Sequence, residues 1–207
     1  MEKAERRAQI LARAREVFAK LGYHAATVDD IVEAAGVARG TFYLYFEDKR
    51  AVFADLVDRF LARIHLTIQH IDPDDPVRSV AQQVRGNIER VISLFVNDRA
   101  MAKILLTDAL GLDADFDRKL RAMYDEIFNL LSTSLRGGQQ LGIVAEGDAR
   151  LMAYLSVGAI KELLFQTVVS GGEIHVGRLT DQIFNFLARG YLRIPPSAHA
   201  SGDDVRP

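Results

Sequence analysis

A chain of 207 residues, 49% hydrophobic and 26% charged, is long enough for one large or two small domains with real cores, and its balance is that of a soluble globular protein. The absence of cysteine excludes a disulfide framework, a thiolate metal site and a cysteine nucleophile, and a formal net charge of −2 argues against a purely electrostatic nucleic-acid binder. The N-terminus MEKAERRAQ is charged, and the longest uncharged apolar run, residues 151–160, is far short of the ~18 residues of a membrane span, so a cytoplasmic protein with no membrane partner is expected.

The first helix is expected over residues 3–21, with Ile10, Leu11, Ala14, Val17, Phe18 and Leu21 on one stripe and Gly22 as its C-terminal stop. Thr27 then offers an N-cap with Asp30 three residues on, the spacing of a capping box, so a short helix starts near Val28. Ile31, Val32 and Ala35 face inward, Gly36 supplies the backbone freedom of a sharp turn, and Val37 returns to the core. A second short helix over residues 38–46 buries Phe42 and Phe46. It leaves Arg39, Gly40, Thr41, Tyr43 and Tyr45 outward, Tyr43 lying ~100° round from Phe42. Such a mixture of aromatic, hydroxyl and cationic groups suits phosphates and base edges, and Arg6, Arg7, Arg39, Lys49 and Arg50 could add one basic face. The plain alternative is a helical hairpin whose aromatics are all core.

The cap, the glycine turn and the Thr-Phe-Tyr run carry a family resemblance. Residues 1 to about 60 resemble the DNA-binding domain of the TetR family of one-component transcriptional regulators, through Thr27, Ile31, Ala35-Gly36-Val37, Thr41-Phe42-Tyr43, Phe46 and Lys49. The resemblance implies that Thr27, Tyr43 and Lys49 touch phosphates and that Arg39, Gly40, Thr41 and Tyr45 face the major groove. The chain departs from the pattern in three places. Val32 stands where alanine is usual, Arg50 where an acid is common, and Ala38 where serine or threonine is usual, so at Ala38 a backbone amide or water must replace the missing hydroxyl. The resemblance also implies a homodimer and repression of transcription.

A longer helix starts at Asp48 and carries Val52, Phe53, Leu56, Val57, Phe60, Leu61 and Ile64, with no glycine or proline before Asp72-Pro73. Such a stiff rod joining two domains converts a small displacement at one end into rotation at the other. After the turn cluster Asp72-Pro73-Asp74-Asp75-Pro76, a helix takes Val77, Val80, Ala81, Val84, Ile88, Val91, Ile92 and Phe95 as its stripe. A shorter one takes Met101, Ile104, Leu105, Ala109 and Leu110 before Gly111. A third, over 114–140, takes Phe116, Leu120, Met123, Tyr124, Ile127, Phe128, Leu131 and Leu135, with Gly137-Gly138 as a weak point late in it.

Residues 151–169 are apolar on nearly every face apart from Lys161-Glu162, so that helix wants contacts on several sides. With a last helix over 176–192 it could form a four-helix interface across a twofold axis. Leu155, Gly158, Ala159, Glu162, Phe165, Ile183, Phe184 and Leu187 are the candidate contacts. The alternative is the central helix of a monomer. The expected organisation is all-α: a three-helix helix-turn-helix domain over 1–50, a helical bundle for ligand binding and dimerisation over 51–193, and a disordered tail over 194–207.

No catalytic or metal constellation stands out. The five histidines never pair at i, i+4, no phosphate loop is present, and Asp113, Asp115 and Asp117 lack the glycine and glutamate of a calcium loop, whose places hold Arg118 and Tyr124. Neither an enzyme nor a cofactor or metal is expected. A ligand pocket is the better use of the bundle, with Met101, Leu105, Asp108, Met123, Tyr124, Phe128 and Tyr154 as candidates, although each apolar member could equally be plain core. Asp108 is the most telling of them, since a buried carboxylate is costly unless paired. The expected partners are double-stranded operator DNA, a small and largely apolar effector, and a second copy of the chain. An effector-independent architectural DNA-binding protein and a helical enzyme or carrier remain as rivals.

Overall fold

The computed structural model describes residues 3–108, 114–169 and 175–189, and within these it contains nine α-helices and no strand. Side chains of Asp108 and Asp115, residues Ala109, Leu110, Gly111 and Asp113, and the stretch from 190 that includes the expected tail lie outside the described residues.

Helix α1 (Lys3–Leu21) buries Ile10, Leu11, Ala14, Val17 and Phe18 and stops at Gly22, whose φ of 78° is left-handed. Helix α2 (Val28–Ala35) packs on α1, followed by α3 (Arg39–Tyr43). Their shared core is aromatic: Phe18 meets Phe53 of α4 (Lys49–Thr67) edge-on at 5.3 Å, and Phe42 lies 5.9 Å from Phe46.

The rod is shorter than the sequence predicts. Helix α4 ends at Thr67 and Ile68 turns extended, although no breaker precedes Asp72. The cause is tertiary, because side chains of α5 (Val80–Asn97) supply the hydrogen bonds that another helical turn would have made. Asn87 accepts from Gln69 N and donates to Gln69 O, both at 2.8 Å, and Arg90 donates to Thr67 O at 3.2 Å. The buried Gln83 accepts from Asp72 N at 2.8 Å and donates to the carbonyls of Asp72 at 2.7 Å and Arg78 at 3.0 Å. Helix α5 also starts later than its apolar stripe implied. Ser79 and Gln82 form its capping box, which leaves Val77 in the preceding loop at 84% exposure and Ala81 on the exposed face.

Helix α6 (Arg99–Lys103) does not continue as α-helix to residue 110; it passes into a π-helical turn, Ile104–Asp108. Helix α7 (Ala114–Gln140) has the predicted bounds, and Gly137-Gly138 does not break it. Gly138 is used for close approach, since a Cβ there would lie 2.5 Å from Val144 Cγ2. Helix α8 (Ala149–Leu164), capped by Asp148, runs into a second π-helical turn, Phe165–Val169, and α9 (Val176–Arg189) follows. In the bundle α7 lies along α8 and α5 along α9, and α6 packs against the second π-helical turn.

Candidate nucleic-acid interface and effector domain

The helix-turn-helix forms as its local chemistry requires. Thr27 Oγ1 accepts from Asp30 N at 3.1 Å while the Asp30 carboxylate accepts from Thr27 N at 2.8 Å and from the Thr27 hydroxyl at 2.6 Å. Those bonds from Thr27 hold the Asp30 carboxyl below its ordinary pKa, so it stays anionic at the positive end of α2. At the other end Gly36 sits at φ 62°, ψ 39°, and the amides of Gly36 and Val37 return to Glu33 O and Val32 O, a Schellman-type stop.

Helix α3 buries Phe42 and presents Arg39, Gly40 and Tyr43, the last at 48% exposure. Ala38 is its N-cap with no side-chain hydrogen bond, as the missing hydroxyl implied. Arg39 Nη1 donates to both carboxylate oxygens of Asp29, at 2.7 and 2.9 Å, and the guanidinium lies 6.0 Å from the Tyr43 ring; both partners of that ion pair are largely solvated, so it yields to a phosphate or base at little cost. Gly40 has an ordinary φ and open space where a Cβ would stand, so the fold itself does not require glycine there.

Three expectations about this face are corrected. The helix ends at Tyr43, so the 100° phase fails beyond it. Tyr45 therefore turns half-inward against the core and Leu44 is exposed at 75%, while Thr41, inside the helix, is half-buried beside Phe42. The basic residues do not share one face: Arg7 pairs with Asp55 at 2.8 Å beside the Phe46 ring, and Arg50 lies over Phe116 of α7. Lys49 points inward, its ammonium donating to Tyr23 O at 2.9 Å, His24 O at 3.2 Å and Ala26 O at 2.8 Å, over the Tyr23 ring. All three protons are engaged, which leaves no donor for the phosphate contact that the resemblance implied. Lys49→Ala is accordingly expected to cost about 2 kcal/mol by releasing the α1–α2 loop, read as a lowered midpoint in calorimetry. An unchanged midpoint together with a salt slope of operator binding reduced by about one would return Lys49 to the phosphate contacts.

The reading head is tied to the bundle by one buried carboxylate that sequence reasoning missed. Asp98, 7% exposed, caps α6 through Met101 N at 3.3 Å and accepts from Arg63 of α4 at 2.8 Å and Arg15 of α1 at 3.3 and 3.4 Å. Lys103 adds a bond to Ala19 O at 2.7 Å, closing the end of α1. Three helices from both halves of the chain thus meet within one turn of α6.

In the bundle, Met101 and Leu105 are 3% and 5% exposed and fill the core. Met123 and Tyr124 are half-buried against it. Tyr124 stacks on Phe128 at 6.0 Å, and burial pushes its phenol pKa up. Phe128 meets Tyr154 edge-on at 4.6 Å, which brings three of the seven predicted ligand residues together between α7 and α8. Tyr154 is nevertheless 40% exposed and accepts from Arg150 Nε at 2.5 Å, so its hydroxyl faces the surface instead of an interior pocket. An open cleft of about 380 Å³ lies elsewhere, lined by Arg50, Ala54, Phe116, Arg118 and Lys119, none of them among the predicted ligand residues.

Of the predicted interface residues, Leu155 at 65%, Gly158 and Glu162 are exposed along one face of α8, with Ala159 and Phe165 half-buried beside them. Ile183 is corrected: it is 2% exposed and belongs to the core of a single chain, while Phe184 and Leu187 pack half-buried against that core. Leu151 at 54% and Phe186 at 45% are further exposed apolar residues on the two helices expected to pair. Leu151 was legible, standing one helical turn before Leu155. By length and composition Ala149–Val168 could cross a membrane, yet it carries Arg150, Lys161 and Glu162 and lies along α7.

A helix-turn-helix carried on a helical bundle is the arrangement of a DNA-binding transcriptional regulator. Residues 10–56 match the profile of the bacterial regulatory proteins of the tetR family. The fatty acid metabolism regulator protein of Bacillus subtilis is 28% identical over 184 residues, covering 88% of this chain and 93% of that one. The transcriptional activator FasR of Mycolicibacterium smegmatis is 39% identical over 135 residues, 62% of this chain and 59% of that one. The structure of the regulator FadR from Bacillus subtilis in complex with stearoyl-CoA superposes with a TM-score of 0.72 at 27% identity, covering 89% of this chain and 99% of that one. The chain belongs to the TetR family of transcriptional regulators.

Proposed function

We propose that two copies of this chain pair through α8 and α9, seat their α3 helices in successive major grooves of a pseudo-palindromic operator, repress transcription in the bacterial cytoplasm, and are released by a long-chain acyl thioester of coenzyme A. The observation that carries the reading is the division of α3, which buries Phe42 and leaves Arg39, Gly40 and Tyr43 outward with no role in the core. Tyr43 offers a hydroxyl to a phosphate, Arg39 a fork for a guanine edge, and Gly40 a place for the helix backbone to approach the duplex. The exposed apolar residues Leu151, Leu155 and Phe186 support pairing. The effector class is supported by the FadR complex with stearoyl-CoA, and by half-buried aromatics and two π-helical turns in the bundle, a helical irregularity frequent at functional sites.

The mechanism is differential binding. If effector favours a geometry whose α3 spacing no longer fits the ~34 Å of a duplex turn, effector and operator lower each other's affinity by the same factor. In fluorescence anisotropy Tyr43→Ala should weaken operator binding by roughly tenfold or more with the dimer intact. Unchanged affinity would remove the phosphate contact. Because FasR is an activator, in vitro transcription decides the sign: a promoter silenced by this protein and restored by palmitoyl-CoA supports repression, and stimulation overturns it.

A further inference from the structure

We propose that the cleft between the first turns of α4 and α7 takes the phosphorylated nucleotide end of the effector, an inference that rests on the acyl-CoA reading above. Among the described residues its lining is Arg50, Arg118 and Lys119, with Phe116 and Ala54. A volume of about 380 Å³ falls within the roughly 300–1,000 Å³ of small-molecule sites and is far more than an inorganic phosphate fills. Guanidinium forks match phosphate oxygens in pairs. Arg50, held 5.6 Å from the Phe116 ring, also presents a planar cation on which a purine stacks. Phe116 is a firm wall, 4% exposed and braced edge-on against Phe53 at 5.3 Å.

The position of the cleft makes its occupant a lever. Arg50 lies one residue beyond Lys49, which clamps the loop between α1 and α2, so the start of α4 moves with the reading head. Lys119 on α7 ties the bundle to α4 through Asp58 at 2.7 and 2.8 Å, an ion pair that is half-exposed and therefore weak. A phosphate entering the cleft competes for Lys119 and replaces that tie with one through Arg50 and Arg118. The acyl tail supplies affinity inside the bundle; the nucleotide end resets α4 against α7.

The test is calorimetric titration of the full-length protein and of the Arg118→Gln/Lys119→Gln double variant with three probes: palmitoyl-CoA, the S-palmitoyl thioester of N-acetylcysteamine, which lacks phosphate, and 3′-phosphoadenosine 5′-phosphate. The expected result is a loss of at least tenfold for palmitoyl-CoA in the variant with the phosphate-free thioester unchanged. Equal losses for both thioesters, or none for palmitoyl-CoA, overturn the subsite while leaving the acyl-CoA reading in place. If the parent protein ignores both thioesters but binds the nucleotide in a way the double substitution abolishes, the subsite stands and the acyl reading fails; if it binds none of the three, both fail. Arg50→Gln, on the opposite wall, should reproduce the loss, which separates the site from any local damage to α7.

Discussion

Asp98→Ala is expected to lower the thermal midpoint by about 6–12 °C, the consequence of a cost near 3 kcal/mol in a chain of this length. The carboxylate is 7% exposed and satisfies two guanidiniums and the first turn of α6 at once. Its removal takes away a helix cap and leaves Arg15 and Arg63 facing each other without a counter-charge. The arginines retain 37% and 49% exposure, so water relieves part of the penalty, which keeps the figure at the low end for a broken buried pair. Asp98→Asn separates the two contributions, because the amide oxygen preserves the cap but not the charge. Differential scanning calorimetry should rank parent, Asn and Ala in descending order, and equal midpoints for all three would show that the node is not holding the halves together. The node joins α1 and α4 to the bundle, so Asp98→Asn should also reduce the factor by which effector weakens operator binding; an undiminished factor would place the coupling elsewhere.

Leu155→Glu should convert the dimer to monomer and weaken operator binding by about two to four orders of magnitude, since the second half-site contact is then no longer intramolecular. Leu155 is 65% exposed on α8 beside Leu151, Gly158 and Glu162. A charge buried there against its twofold mate, with Glu162 two turns further along the same face, meets both desolvation and like-charge repulsion. The substitution leaves the core of each chain untouched, so circular dichroism should show unchanged helicity while analytical ultracentrifugation shows half the mass. A variant that remains dimeric and binds as the parent would move the interface away from α8.

The DNA-reading head was legible in the sequence because its determinants are local. Thr27 and Asp30 are three residues apart, Gly36 needs only its own left-handed φ, and Phe42 and Phe46 lie on one side of a single turn. Tyr45 was misplaced because the helical phase was carried past Tyr43, where the helix stops. Lys49 and Asp98 could not be placed at all. The ammonium of Lys49 finds carbonyls 23 to 26 positions back, and Asp98 finds arginines 83 and 35 positions away. Charge on an exposed-looking pattern says nothing about which distant partner folds against it. The extent of α4 was missed for a related reason, since the amides beyond Thr67 are claimed by Asn87 and Gln83 of the next helix.

By itself the sequence determined an all-helical chain with a capped, glycine-turned helix pair whose outer surface has no use in the core, because caps, turns and apolar periodicity act over four residues or fewer. Tertiary structure alone decided which charged groups join the reading head to the bundle, that Ile183 is core and Phe186 surface, and that three cations converge between α4 and α7. Those outcomes depend on where helices far apart in the chain come to lie against one another, which no local spacing encodes.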